Sequence, residues 1–379
     1  MKILKRVLVS LALLVGLVVI LAYIFDVTYL FKAVRTIYLK GHKTAYLEDY
    51  KVFENDTVKA GKNTFAWPIH ADYNQVPPTK KLLETHQSAE TIAYMIIKND
   101  SIWHEAYYDG FNRNSKSNSF SMAKSFVSGL LGKAIMDGYI ESLDQPLGDF
   151  FPQYKDAKTT VGDLASMASG LDWDEAYYSP FSITTKAYFY DDLNKMMLEL
   201  DIVEEPGKGY NYLSGSTQLL AMVIEKASGK RTAEYFQEAF WQPLGAENDA
   251  LWQVDSEKHK MVKAYCCFAS NARDFARFGK LYKDHGKWQN KQLLDSAFVA
   301  KSIRPRFEGA PYGYGFWLGD YNGKDFFVMR GHLGQYVITI PEDNLMIVRL
   351  GHLKGSTDGT DAFPQNFWIY IDEAYEMLN

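Results

Sequence analysis

The order of the periodic segments constrains this chain more than any single motif in it. TIAYMIIKND (residues 91–100) and SIWHEAYYDGF (101–111) read as the two strands of a hairpin, with Asn99-Asp100 at the turn. From about residue 121 to 300 the pattern is helical. SMAKSFVSGLLGKAIMDG, STQLLAMVIEKASG and NARDFARFGKLYKDHG each run to a glycine placed as a C-terminal cap. Strand signals return after residue 310 in YGYGFWLGDY, KDFFVMRGH, QYVITIPE and NLMIVRLGH, and AFPQNFWIYIDEAYEML closes as an amphipathic helix. Strands at both ends and helices between them predict an α+β architecture. It would be an antiparallel sheet flanked by helices, with a mostly helical subdomain at about 120–300 inserted in it.

Ahead of these segments, MKILKR is followed by VLVSLALLVGLVVILAYIF, residues 7–25, without a charge. About 20 apolar residues span a bilayer, so the run is long enough. No Ala-x-Ala-like site ends it and no cysteine follows it as a lipoprotein signal would require. An uncleaved signal anchor is therefore expected. Lys2, Lys5 and Arg6 before the run are balanced by Lys32, Arg35, Lys40 and Lys43 after it, so charge leaves the orientation open. The short N-terminal flank favours export of the large C-terminal part, giving a single-pass inner-membrane protein with an extracytoplasmic or periplasmic domain. The expected division is an anchor at 1–25, a juxtamembrane connector at 26–64 and one domain at 65–379.

Composition removes several function classes. A formal charge of -5 supplies no basic excess to neutralise phosphates, so a nucleic-acid partner is not expected. The eight histidines show no His-Glu-x-x-His spacing. Phosphate loops and dinucleotide fingerprints are lacking too, and neither metal nor cofactor is expected. Cys266 and Cys267 are neighbours, which builds no disulfide framework, and a bond between them would be strained. They read as small residues packed in a core.

The chemistry-bearing stretch is SFSMAKSF, which sets Lys124 three residues after Ser121. On a helical wheel Ala123, Phe126, Val127, Leu130, Leu131 and Ala134 share one side. Ser121, Lys124, Ser125, Ser128, Gly129 and Gly132 share the other. A solvated face carries several Lys and Glu; this one is small-sided with one lysine, so it is covered or lines a cleft. A lone lysine there is partly desolvated, which lowers its pKa. A neutral amine one turn from Ser121 can take the hydroxyl proton, and the helix N-terminus favours a developing oxyanion. Spacing alone is equally satisfied by an ordinary helix start.

The surroundings of the pair decide between these. The run SFSMAKSFVSGLLGKAIMDGYIESLDQPLGDFFPQY resembles the nucleophile region of class C β-lactamase and penicillin-binding-like serine hydrolases, and TTVGDLASMASGLDWDEAY follows as that family spaces it. PGKGYNYLSGSTQLLAMVIEKASGK is similar to the family's second motif and MRGHLGQYVITIP to its third. KAYCCFASNARDFARFGKLY and FWQPLGAENDALW resemble the 6-aminohexanoate-dimer (nylon-oligomer) hydrolase branch. The likeness covers roughly residues 85–375. It implies a β-lactamase/transpeptidase-like fold and an acyl-enzyme on Ser121, with Lys124 as partner and Tyr212 as proton shuttle. It further implies an oxyanion hole from the backbone N–H groups of Ser121 and Gln335, and substrate contacts from Tyr177, Ser214, His332 and Gly334. Ser214 stands where the family has asparagine, and His332-Leu333-Gly334 where it has Lys-Thr-Gly.

These roles have physical grounds. A phenolate is favoured close to an ammonium, so Tyr212 beside Lys124 could shuttle a proton to the leaving group. Gly334 removes a side chain where a substrate could lie along the strand. An unperturbed His332 is largely neutral at pH 7 and offers no full charge to a substrate carboxylate, which favours less anionic substrates. The expected activity is cleavage of a small-molecule amide or ester. The alternative is a penicillin-binding-like sensor, or a D-Ala-D-Ala carboxypeptidase or β-lactamase-type protein, acting on peptidoglycan or β-lactams.

Overall fold

A computed structural model of the chain describes residues 1–355 and 362–379. Its strands are β1 (Asn55–Val58), β2 (Thr91–Lys98), β3 (Ser101–Tyr107), β4 (Ser117–Asn118), β5 (Ala250–Gln253) and β6 (Phe268–Ser270). There follow β7 (Lys287–Trp288), β8 (Lys291–Gln292), β9 (Trp317–Tyr321), β10 (Lys324–Gly331), β11 (Gln335–Ile340) and β12 (Leu345–Gly351). The main sheet has the order β3-β2-β12-β11-β10-β9 and is antiparallel throughout. The N-terminal hairpin thus joins the C-terminal strands at β12, as the segment order predicts. Asn99 and Asp100 both have positive φ (49° and 61°), the pairing a two-residue hairpin turn needs.

The inner strands are apolar at nearly every position because both faces are covered. Tyr94, Ile96, Ile338 and Ile347 pack under the helices Lys80–Ser88 and Gln365–Leu378, through Leu82, Phe367 and Ile371. Met95, Ile97, Val337 and Val348 face the helix Ala272–Lys283 and the main core. The region from 121 to 300 is less purely helical than its pattern predicts. It contributes β5 and β6 to a second sheet, β1-β5-β6-β4, whose other two strands precede it. Its strands have two to four residues, too short for alternation to register.

The small-residue side of the helix Ala123–Met136 is covered by protein. Ser125 and Ser128 donate to the carbonyls of Gly315 and Tyr314 at 2.6 and 2.7 Å. Gly129 and Gly132 face the rings of Phe278 and Phe298. Small side chains here admit a crossing segment and two aromatic rings, and only the N-terminal end, at Ser121, opens to a cleft.

The stretch 26–64 is built into this body. Tyr29, Ala33, Ile37, Leu47, Phe53 and Val58 are buried in the main core, and β1 pairs with β5. Buried Asp49 accepts hydrogen bonds from Asn118 (2.9 Å), Gln253 (2.6 Å) and Tyr188. The helix Lys2–Ile24 is exposed apart from Ala22, and is long and apolar enough to cross a membrane.

Candidate active site

Ser121 stands in a single 3-10 turn, Phe120–Met122, that runs directly into the helix Ala123–Met136. Phe120 has φ +46°, a left-handed conformation that a large side chain adopts at a cost of about 1–2 kcal/mol. The Phe120 N–H bonds to Asn118 Oδ1 (2.8 Å) and the Ser119 N–H to the Phe268 carbonyl (2.8 Å), which hold the turn. The serine is therefore presented at a helix N-terminus by a strained, anchored elbow.

Lys124, 2% exposed, lies one turn on. Its Nζ donates to Ser121 Oγ at 2.9 Å and to the Tyr265 carbonyl at 2.8 Å. It sits 5.0 Å from the centre of the Tyr212 ring. Burial lowers its pKa to about 8, against the opposing charge of Glu175. Desolvation, the effect expected from the helix face, is the dominant one. Tyr212 departs from expectation. Its phenol is pushed up, by burial first and then by Glu175, against a hydrogen bond to Ser121 and the Arg330 charge. The resting phenol is therefore protonated, and the phenolate that a neighbouring ammonium would favour is not the resting form.

Glu175, in DWDEAY, was not singled out by the sequence. Its carboxylate accepts from the Ser214 N–H and from Ser214 Oγ (3.2 Å). Ser214 opens the helix Ser214–Ser228, so an acidic group sits at that helix's N-terminus. Neighbouring acids have local duties. Asp163 closes a capping box with Thr160, and Asp174 accepts from the Ala176 N–H at 2.9 Å.

Two open hollows meet at Ser121. One is mainly apolar and includes Ile37, Tyr38, Ala45, Phe120, Phe189 and Cys266. The other includes Glu175, Tyr212, Trp317, Arg330 and Lys354. Tyr177 and His332 line both. The His332 ring stacks on Tyr177 (5.6 Å) and meets the Phe120 edge (5.5 Å). Burial, then Lys354, lowers its pKa to about 4, so it is neutral at pH 7. The cations missing from that position stand nearby, as Arg330 and Lys354.

Two sequence-derived positions are placed elsewhere. Gln335 lines neither hollow. It begins the inner strand β11, buried, with its side chain bonded to Gly351 and to the His332 carbonyl. The strand end against the nucleophile turn is that of β10. At Gly331 a Cβ would lie 2.1 Å from the Ser119 carbonyl. Motif order placed the donor after the glycine of His-Leu-Gly, but the chain has already turned there, and Leu333 takes φ +61°. Gly334 makes no room for substrate either. Its φ is +81°, and a Cβ would lie 2.5 Å from Arg349 Nη1. Cys266 and Cys267 also differ from expectation, being bonded to one another, with Cys267 at φ +73°. Both sulfurs remain buried, as small core residues would.

Known proteins agree with this architecture. The β-lactamase family model matches residues 79–367. The 6-aminohexanoate-dimer hydrolase of Paenarthrobacter ureafaciens is 24% identical over 292 residues, 74% of this chain and 69% of that one. The teichoic acid D-alanine hydrolase of Staphylococcus aureus is 25% identical over 280 residues, 66% of this chain and 67% of that one. Among solved structures, a Bacillus anthracis protein assigned as a 6-aminohexanoate-dimer hydrolase superposes with TM-score 0.75 at 20% identity, covering 88% of this chain and 92% of its own. The D-amino acid amidase of Ochrobactrum anthropi SV3 gives 0.60 at 18%, covering 78% and 96%. With its fold, its ordered motifs and more than two thirds of its length matched, the chain belongs to the β-lactamase family of serine hydrolases.

Proposed function

We propose that this protein is a membrane-anchored serine hydrolase that cleaves a small amide or ester through an acyl-enzyme on Ser121. The observation that carries the reading is a hydroxyl and a desolvated amine 2.9 Å apart where two open hollows meet. Neutral Lys124 takes the Ser121 proton as Oγ bonds to the substrate carbonyl carbon. The Ser121 N–H and an N–H from the β10 end at Gly331–His332 stabilise the oxyanion. Tyr212 gives its proton to the departing nitrogen or oxygen, and the phenolate regains one from the Lys124 ammonium. Water then cleaves the Ser121 ester and the acid leaves. The exposed apolar helix Lys2–Ile24 would hold the domain at the outer face of the inner membrane. Relatives named for hydrolysis of 6-aminohexanoate dimer and of teichoic acid D-alanine support an acyl-transfer substrate of this kind.

Arg330 and Lys354 favour a second reading, a penicillin-binding-like sensor whose cations hold the carboxylate of a peptidoglycan fragment or β-lactam. Detergent-purified full chain with p-nitrophenyl acetate separates the two. Continuous release of nitrophenol, abolished by Ser121→Ala, is expected. A single stoichiometric burst would establish the sensor, and release that survives the substitution would place the nucleophile elsewhere.

A further inference from the structure

The mainly apolar hollow beside Ser121 owes much of its wall to the segment just after the N-terminal helix. Ile37, Tyr38, Lys43, Thr44 and Ala45 line it, with Phe120 and Phe189, and its exposed surface is mainly apolar despite the one lysine. That segment carries membrane-interface residues on its outside. Phe31, Val34 and Leu39 are 44%, 46% and 75% exposed. They are interleaved with exposed Arg35 and Lys40 and follow the apolar helix within fifteen residues. Tyr178, 67% exposed, lines the same hollow, and Phe181, three residues on, is 73% exposed. Aromatic and basic side chains mixed in this way, next to a membrane span, suit the headgroup layer. The mouth of the hollow therefore opens where lipid would begin.

The two hollows also divide the substrate. Tyr212, which protonates the leaving group, lines the polar hollow and not the apolar one. The departing amine or alcohol therefore leaves through the side holding Glu175, Arg330 and Lys354. The acyl part must then occupy the side holding Ile37, Ala45 and Phe189. We infer that the substrate is an amphiphile of the membrane surface, a long-chain acyl amide or ester whose acyl chain enters the connector-walled hollow and whose polar, charge-bearing head is the leaving group. The inference rests on the acyl-enzyme reading above and names its substrate class. In the reaction the acyl C–N or C–O bond breaks, the Ser121 ester forms, and water releases the fatty acid.

The test compares p-nitrophenyl acetate with p-nitrophenyl octanoate, using the full chain in detergent. Each buried methylene can multiply kcat/KM by up to about four, so a preference for octanoate of at least about tenfold is expected. Ala45→Trp, and independently Thr44→Phe, should lower that octanoate-to-acetate ratio at least about fivefold. A ratio near one in the wild type, or a ratio that both substitutions leave unchanged, overturns the inference while the acyl-enzyme reading stands. Absence of Ser121-dependent turnover of either ester overturns both. A p-nitrophenyl hexadecanoate carried in dioleoylphosphatidylcholine vesicles tests the source. Turnover at least about tenfold faster is expected when enzyme and ester share vesicles than when they occupy separate ones. Equal rates would overturn delivery from the membrane.

Discussion

At the scale of single residues, the proposed mechanism turns on an amine kept out of water. A lysine with pKa about 8 is about one-tenth neutral at pH 7. Because the neutral form is the base, kcat/KM for an ester should rise about tenfold per pH unit below 8 and level off above it. The Glu175 charge raises the Lys124 pKa, so Glu175→Gln should move that midpoint to lower pH; a stopped-flow pH profile reads the shift. Lys124→Arg keeps a charge that does not titrate, and should cost about 10²–10⁴ in kcat. Much of this was legible in the sequence. A helix face of small residues with one lysine already forecast desolvation. Glu175 was not legible, because its importance comes from the distant helix start at Ser214. The protonated state of Tyr212 was missed because it comes from the burial of the phenol itself and from the Glu175 charge, both set by tertiary packing.

At the scale of elements, two glycines in one motif do different work. Gly331 brings the end of β10 against the nucleophile turn, and Gly334 makes room for Arg349. Gly331→Ala should displace the strand end and lower kcat by about 10²–10³, the loss typical of an oxyanion donor, with little change in KM. Gly334→Ala should instead lower stability. Its φ is +81°, and its Cβ would crowd the guanidinium that holds the Leu333 and Gly334 carbonyls at 3.0 and 2.8 Å. Steady-state kinetics and thermal melts on the two variants separate these outcomes. The sequence motif pointed to Gly334 and not to Gly331, because the hairpin turn that sets Gln335 and Gly334 behind the strand end is a property of sheet register. Register emerges only when β10 and β11 pair, Gly331 opposite Gln335.

At the scale of the whole molecule, the segment order forecast the architecture, because inner strands covered on both faces are apolar enough to recognise. The stretch 26–64 was illegible for the opposite reason. It has no element longer than the eight-residue helix Tyr29–Thr36, and its core residues are scattered. Removing residues 1–24 should leave the melting temperature of the domain unchanged, since only Ala22 of that helix is buried. Removing 1–64 should destabilise it severely, exposing the core that Phe53 and Val58 help close. Asp49→Ala should cost about 2–4 kcal/mol in chemical denaturation, because Asn118, Gln253 and Tyr188 lose a buried acceptor. The central claim concerns the reactivity of one hydroxyl, and the pH dependence of its labelling by a fluorophosphonate, read as intact mass with peptide mapping, addresses it most directly. The account predicts an adduct on Ser121 whose rate of formation climbs with pH to a plateau, with its midpoint near 8. An adduct on another residue, or a rate indifferent to pH between 6 and 9, would contradict it.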